Sequence, residues 1–200
     1  MAAKKTTTKR KRQSKDKPDD LILDAALEWA AKLGWRSLNM SDLAEATGLT
    51  LAEIHAIYPC KQHILNGLVR RVDEQIFASG DADGDGIRDR LFDMLMRRFD
   101  VLNPLKPAIT AIARDSWCDP VAFLITGPRM LSSMYWMLEA AGASPNGLIG
   151  AARCKVLGLI YANAFRVWLR DDTQDMARTM AALDRGLQQA ERLECRSRGR

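Results

Sequence analysis

The chain has 200 residues, of which 47% are hydrophobic and 28% are charged, and its formal net charge is +5 at pH 7. This length and composition suffice for one or two small domains with an ordinary buried core. The four cysteines are scattered without paired spacing, which argues against disulfides or a zinc site and favours a reducing cytosol.

Residues 1–17 form a basic tail with eight Lys or Arg and a single Asp. Three further arginines lie within residues 196–200, so residues 18–195 carry a net charge of −5. The first tail has almost nothing to bury, and we expect it to be disordered in isolation. It could follow phosphates or enter a minor groove, or it could be a solvated tail that only raises solubility.

No stretch is expected to cross a membrane or to act as a signal peptide. The nearest apolar run, residues 148–169, is interrupted by Arg153, Lys155 and Arg166, which would be costly in lipid. The N-terminus has no hydrophobic region. We therefore expect a cytoplasmic protein.

Two helices are predicted at the start of the body of the chain. The first covers residues 21–33 and ends at Gly34, with apolar residues recurring at helical spacing. A short second helix follows, since Asn39 and Asp42 have the spacing of an N-terminal cap. It is expected to stop near Gly48.

A third helix begins immediately afterwards. Thr50 and Glu53 have the spacing of a capping box, in which each side chain accepts the backbone amide of the other residue. The helix over residues 51–57 is only two turns long and is ended by Pro59. Because so short a helix is marginal alone, it must be held by packing, for which Ile54 is available.

The third helix leaves a small outward surface, formed by Leu51, Ala52, Glu53, His55 and Ala56. This surface has little apolar bulk and the right size to enter a DNA major groove, so the layout is that of a helix-turn-helix. Glu53 could accept a hydrogen bond from a cytosine amine, with His55 beside it, or it could be occupied in its capping box. Ala52 and Ala56 would allow close approach.

A longer helix is predicted from Lys61 to about Ala78. Near this N-terminus Lys61 could bond a DNA phosphate with the help of the free amides, or it could be a solvated first-turn lysine. His55 and His63 lie eight residues apart without cysteine or carboxylate spacing, so they predict no metal site.

Residues 81–86, D-A-D-G-D-G, begin like a calcium-binding loop. The twelfth position is nevertheless Phe92, where a bidentate glutamate is needed, and Asp93 stands one place late. The alternative is a flexible hinge whose aspartates suit the positive end of the next helix. We expect the hinge and place the domain boundary there.

Beyond the hinge, helices are predicted over residues 87–102, up to residue 117, and over 128–141. Methionine and aromatic residues are dense in this region, which suits a deformable pocket for an apolar ligand, although an ordinary helical core has the same composition. The candidate pocket residues are Met94, Phe99, Trp117, Phe123, Met130, Met134, Trp136 and Met137.

Two final helices are predicted over residues 148–169 and 173–193. The first is apolar on most faces and rich in small residues, and the second carries a narrow apolar seam with alternating steps of four and three. Pairing both with a symmetry mate would form a four-helix bundle across a two-fold axis. The predicted dimer-interface residues are Leu157, Tyr161, Met176, Met180, Leu183 and Leu187.

Residues 21–65 resemble the DNA-binding domain of the TetR family of transcriptional regulators. The match is carried by Gly48-Leu49-Thr50, Ile54, Ile57-Tyr58-Pro59-Cys60-Lys61 and Ile64-Leu65. The sequence departs from the family pattern in three places: Glu53 stands where a small hydroxyl residue is common, Leu51 where lysine is frequent, and Cys60 in place of the usual cap residue.

The resemblance implies an all-α fold with a three-helix helix-turn-helix domain, residues 18–79, followed by a helical domain, residues 80–195, for dimerisation and ligand binding. Residues 1–17 and 196–200 would be basic tails. The expected DNA-binding residues are Asn39, Thr50, Leu51, Ala52, Glu53, His55, Ala56, Tyr58 and Lys61.

The second half is similar to the lipid-binding accessory protein of ubiquinone biosynthesis, itself built on a TetR-like fold. Residues 90–105 and 157–187 carry this looser likeness, above all Tyr161, Trp168-Leu169, Asp171-Asp172 and Leu183-Asp184-Arg185. It implies an alternative function, a lipid- or quinone-binding protein that does not read DNA.

The sequence shows no nucleophile with a neighbouring base, no Gly-rich phosphate loop after a strand and no credible metal cluster, so we expect neither an enzyme nor a cofactor. The leading hypothesis is a homodimeric transcriptional regulator, a repressor, that binds an inverted-repeat DNA operator and is released by an apolar small molecule. A basic tail beside a capped recognition helix favours this hypothesis, because a lipid carrier has little use for either.

Overall fold

The structure is a computed structural model that describes residues 17–116 and 119–198, and every regular element within these ranges is helical. The elements are α1 (Pro18–Leu33), α2 (Met40–Thr47), α3 (Leu51–Ile57), α4 (Lys61–Ala78), α5 (Ile87–Leu102), a 3₁₀ turn (Asn103–Leu105), α6 (Lys106–Ser116), α7 (Pro120–Ala140), α8 (Gly147–Trp168) and α9 (Ala177–Arg198). The predicted all-α class is confirmed.

The first three helices and the start of α4 form an N-terminal head around one apolar core. Ile22, Leu43, Ile54 and Ile64, one from each of these helices, are almost completely buried together. The same core receives Ala108 and Ile112 from α6, which packs against α1. The head is therefore fixed to the rest of the chain by α6 as well as by the continuous helix α4.

A second core forms the C-terminal body, in which the end of α4 packs with α5, α7, α8 and α9. Phe99 of α5 lies at its centre, with its ring stacked 5.5 Å from that of Tyr161 and 5.9 Å from that of Trp168. All three rings are buried. Aromatic packing of this kind contributes beyond the area it buries, so these residues hold α8 to α5.

Helix α7 begins eight residues earlier than predicted, at Pro120 rather than at Pro128. The Asp119 side chain accepts the amides of Val121 and Ala122 at 2.9 and 3.2 Å and so caps the helix. Pro128 therefore lies inside the helix, where its ring nitrogen has no hydrogen to donate to the preceding turn. Proline is favoured at the first position of a helix, and Pro120 and Pro128 both carry that signal.

Two other boundaries also differ from the prediction. Helix α1 starts at Pro18, three residues before the predicted start. Helix α9 starts at Ala177 rather than near Thr173, because the backbone of Met176 has a φ of 52° and interrupts the helical path. The carboxylate of buried Asp171 organises this turn by accepting hydrogen bonds from Thr173 and Thr179.

Helix α8 is, within the described part of the chain, long and apolar enough to cross a membrane by length and composition alone. It packs against both α7 and α9. Only 28% of its most apolar stretch is buried within the single chain, so one side of α8 belongs to the core and the other side is exposed.

Candidate nucleic-acid interface

Helix α2 and the turn that follows it have the geometry that the sequence predicted. At the start of α2, the Asn39 amide donates to the Asp42 carboxylate at 2.9 Å. Gly48 ends α2 with a left-handed φ of 73°, and its amide donates to the Ala44 carbonyl at 2.9 Å. A residue with a side chain would be strained in this conformation, so glycine allows the chain to turn directly into α3.

The capping box of α3 is confirmed. The Thr50 amide donates to the Glu53 carboxylate at 2.8 Å, and the Glu53 amide donates to the Thr50 hydroxyl at 3.2 Å. The pKa of the Glu53 carboxyl is lowered below its usual value, chiefly by the hydrogen bond from the Thr50 amide and secondly by the one from the Thr50 hydroxyl. The carboxylate is thus held at the start of the helix.

Helix α3 turns one side into the head and the other side outward. Ile54 is completely buried and anchors the helix. The exposed residues form a surface that we call the α3 face, consisting of Leu51, Ala52, Glu53, His55 and Ala56. Apart from Leu51, these side chains are small or polar, so the surface can approach another molecule closely. Asn39 and Thr50 are also exposed, at the starts of α2 and α3.

Tyr58, predicted to contact DNA, is instead buried in the head, with only 3% of its surface exposed. Its hydroxyl donates to the Asp19 carboxylate of α1, and its ring lies directly against Gly67 of α4. Burial first, and then this hydrogen bond, raise the pKa of Tyr58 well above its usual value. The physical reason for the correction is that the ring fills the space between α1 and α4.

Lys61, predicted to bind a phosphate, is likewise occupied within the chain. Its ammonium donates to the carbonyls of Trp35 and Leu38 at 2.8 and 2.9 Å and lies 5.1 Å from the Trp35 ring centroid. Partial burial lowers its pKa, and the charges of Asp115 and Asp119 oppose that shift. Lys61 therefore holds the loop between α1 and α2 against the start of α4.

Cys60 precedes α4 in the position where the family resemblance expects a capping side chain. Its side chain makes no capping hydrogen bond to the helix, although its carbonyl accepts the His63 amide at 3.0 Å. The sulfur lies 3.0 Å from Nδ1 of His63 instead. The Cys60 side chain therefore does not supply the cap that the resemblance expects.

The predicted ligand-pocket residues that the structure describes are divided between the exposed surface of α7 and the core of the body. Phe123 and Trp136 are 74% and 57% exposed, on parts of α7 that no described helix covers. Met130 is partly buried, with its sulfur 3.8 Å from Arg98, and Trp117 lies outside the described residues. The remaining four are packed in the core of the body: Met94, Phe99, Met134 and Met137.

The predicted dimer-interface residues face the chain's own core. Five of the six are at least 94% buried within the single chain, and Met180 is partly buried: Leu157, Tyr161, Met176, Met180, Leu183 and Leu187. The apolar seam of α9 therefore packs on α5 and α8 of the same chain. The outward side of α8 carries other apolar residues, among them Leu148 and Leu159, which are 91% and 71% exposed.

The sequence interpretation missed a buried polar network that joins α4 to α5 and α7. Asp73 accepts hydrogen bonds from Arg98 at 2.7 Å, Ser133 at 2.6 Å and Arg129 at 3.3 Å. A signal was present, because Arg98 continues the apolar spacing of Leu91 and Leu95 along α5. A charge on an apolar stripe requires a buried partner.

The loop that opens like a calcium site is occupied by an arginine. Arg97 pairs with Asp93 at 2.8 Å and donates to the carbonyls of Gly80 and Asp81 at 3.3 and 3.2 Å. Within residues 17–116 and 119–198, no group of three or more His, Cys, Asp or Glu is placed to hold a metal ion.

Comparison with solved structures identifies the class to which this architecture belongs. The TetR transcriptional regulator from Nitrosomonas europaea ATCC 19718 superposes with a TM-score of 0.69 at 22% identity, covering 88% of this chain and 99% of that chain. A TetR transcriptional regulator from Rhodococcus sp. RHA1 gives 0.65 at 19% identity, with 84% and 92% covered. The fatty acid degradation regulator FadR from Bacillus halodurans gives 0.54 at 19%, with 87% and 96% covered.

The class is therefore an all-α protein with a helix-turn-helix head and a helical body. More particularly, the fold is that of TetR transcriptional regulators. The sequence matches no family model and no curated protein. These structures give no support to the likeness between the second half and the ubiquinone-biosynthesis accessory protein.

Proposed function

We propose that this chain is a TetR-like transcriptional regulator, a repressor, that reads an inverted-repeat DNA operator as a homodimer in the cytoplasm. The observation that carries the proposal is the α3 face, a small exposed surface on a helix whose opposite side is anchored by completely buried Ile54. A two-turn helix presented in this way fits a major groove.

Within the α3 face, His55 is the residue we assign to base edges. Ala52 and Ala56 keep the helix close to the groove, and Leu51 offers apolar contact to a thymine methyl group. Glu53 accepts hydrogen bonds from Thr50, so we assign it first to the cap and only secondarily to a cytosine amine. Asn39 and Thr50 stand at the rim for phosphates, and residues 1–17 would follow the backbone beyond it.

The homodimer that we propose uses the outward side of α8 rather than the buried seam of α9. Leu148 and Leu159 are exposed there, and Leu131 of α7, 41% exposed, lies beside Gly158. A two-fold axis through this side would bury the three leucines against their copies. It would also present two α3 faces to half-sites about one DNA turn apart.

An apolar small molecule bound to the body would release the protein from DNA if its affinity differed between two states of the dimer. These states would differ in the distance between the two heads. Two helices connect the body to the head, because α4 contributes to both cores and α6 packs against α1.

The proposal is tested by selecting duplexes from a random pool and measuring binding to the enriched sequence as salt rises. We expect an inverted repeat, with affinity falling steeply with salt because phosphate contacts release counterions. Failure to enrich any sequence, together with lipid that co-purifies with the protein, would favour the lipid- or quinone-binding alternative.

A further inference from the structure

A cysteine and a histidine lie together at the start of α4, close to the α3 face. The sulfur of Cys60, directly before the helix, is 3.0 Å from Nδ1 of His63 in its first turn. The Cys60 side chain makes no capping hydrogen bond to the helix, so the contact with His63 is what holds its sulfur. A thiol within hydrogen-bonding distance of an imidazole is the arrangement in which a base activates a sulfur nucleophile.

The pair is accessible and differs from the surroundings of the other described cysteines. Cys60 and His63 are both partly exposed, so a small molecule can reach the sulfur. In the body, Cys154 of α8 is buried and Cys195 of α9 is exposed. Both histidines of the chain, His55 and His63, belong to the head. Among the cysteines that the structure describes, Cys60 is therefore the one with an imidazole beside it.

We propose that Cys60 is a covalent modification site for α,β-unsaturated carbonyl compounds. In this reaction Sγ bonds to the β carbon of the compound, and the π electrons of the double bond move towards the carbonyl. His63, with its own proton on Nε2, takes the thiol proton on Nδ1. The imidazolium then returns a proton to the α carbon, so the addition releases no leaving group and needs no oxidant.

This class of compound fits the pair better than an oxidant does. A cysteine oxidised to a sulfenic acid goes on to a disulfide when a second thiol can reach it, and the other described cysteines, Cys154 and Cys195, lie on helices of the body. Addition to a double bond requires only the proton transfer that Cys60 and His63 can perform. Negative charge that develops on the sulfur during the attack also lies at the positive end of α4, which stabilises it.

The modification would act on the head rather than on the body. Cys60 follows Ala56 of the α3 face closely in the chain, with buried Tyr58 fixing the connection between them. A group added to the Cys60 sulfur would therefore stay beside the end of α3 and obstruct a duplex that approaches the α3 face. This consequence rests on the proposed function, whereas the reactivity of Cys60 does not.

The reactivity is tested by treating the full chain with N-ethylmaleimide in the absence of DNA and measuring the rate at each cysteine by peptide mass spectrometry. Cys60 should react at least about tenfold faster than exposed Cys195, and the difference should disappear in concentrated urea, which separates the pair. His63→Gln should remove the difference, because glutamine is polar but is not a base. Gln62→Ala, in the same turn of α4, is the matched control and should retain it.

Three results would overturn the proposal. Cys60 could react no faster than Cys195 in the folded wild-type chain, the difference could persist in urea, or Cys60 in folded His63→Gln could react as fast as in the wild-type chain. The comparison of Cys60 with Cys195 uses the wild-type chain alone, so it decides the question even where His63→Gln fails to fold.

The consequence for DNA is measured separately, with the duplex selected by the wild-type chain. Treatment with N-ethylmaleimide should weaken binding by the wild-type chain at least about tenfold and should leave binding by Cys60→Ser unchanged. Unchanged affinity of a wild-type chain labelled at Cys60 would overturn the regulatory consequence. A chain that is labelled rapidly at Cys60 but selects no duplex would support the modification site and contradict the proposed function alone.

Discussion

Arg98 of α5 forms a buried ion pair with Asp73 of α4, with Nη1 2.7 Å from Oδ1. Ser133 of α7 bridges the two, accepting from Arg98 and donating to Asp73. Arg98 is 1% exposed and also lies 5.1 Å from the ring of Tyr161 on α8. Residues from four helices of the body therefore meet at the Arg98 guanidinium. One of these helices, α4, also forms part of the head.

Replacing Asp73 by Ala should lower the free energy of unfolding by about 3–5 kcal/mol, because it leaves Arg98 buried without its carboxylate. The measurement is urea unfolding followed by circular dichroism. Glu74→Ala is the matched control, since its side chain is 68% exposed and 3.9 Å from Arg70; an exposed pair of this kind is worth about 0–1 kcal/mol. Equal effects of the two substitutions would contradict the account of the network.

Gly67→Ala should destabilise the head, because the added Cβ would lie 2.2 Å from Oη of Tyr58. Overpacking of this type costs about 1–3 kcal/mol. Gly127→Ala on α7 is the control, since its Cβ would meet nothing within 4 Å, and it should stabilise the chain by up to about 1 kcal/mol through helix propensity. Thermal unfolding of both variants checks the prediction, which fails if Gly67→Ala is as stable as the wild-type chain.

Thr50→Ala should cost about 1 kcal/mol of stability through the lost cap of α3. The same measurement on Thr110→Ala, an exposed position on α6, should give a change within about 0.5 kcal/mol. Unchanged stability in Thr50→Ala would show that the capping bonds of α3 contribute nothing in solution.

Asp171 predicts an acid-dependent contribution to stability. Burial alone would raise its pKa, but hydrogen bonds from Thr173 and Thr179 lower it well below the usual value. The unfolded state therefore binds a proton at higher pH than the folded state, so this contribution is complete above about pH 5 and is lost as pH falls further. Unfolding free energies measured from pH 5 downwards should fall less steeply in Asp171→Asn than in the wild-type chain; identical slopes would refute the assignment.

Local signals explain which parts of the fold were predictable. The bounds of α3 follow from Thr50, Glu53 and Pro59, which act within a few residues of one another, and the structure reproduces them. The start of α7 was wrong because Pro120 and Pro128 both carry the same local signal. Helical spacing also does not say what covers an apolar face, so Trp136 was assigned to a pocket although it is exposed.

The α9 seam shows the same limit. Steps of four and three from Met176 to Leu187 describe a face that packs against a helix, whether that helix belongs to the same chain or to a partner. The structure places that face on α5 and α8 of its own chain. The internal contacts of Lys61 and Tyr58 were not predicted for a related reason, since their partners Trp35, Leu38 and Asp19 lie more than twenty residues away in the sequence.

The most direct test of the central claim is the affinity of Ala52→Trp for the duplex selected by the wild-type chain, measured by fluorescence anisotropy. Ala52 lies in the α3 face, and Ala31 is exposed on α1, where Ala31→Trp serves as the control. We predict at least about a tenfold loss of affinity for Ala52→Trp and none for Ala31→Trp. Wild-type affinity in a folded Ala52→Trp variant would contradict the claim that this face reads DNA.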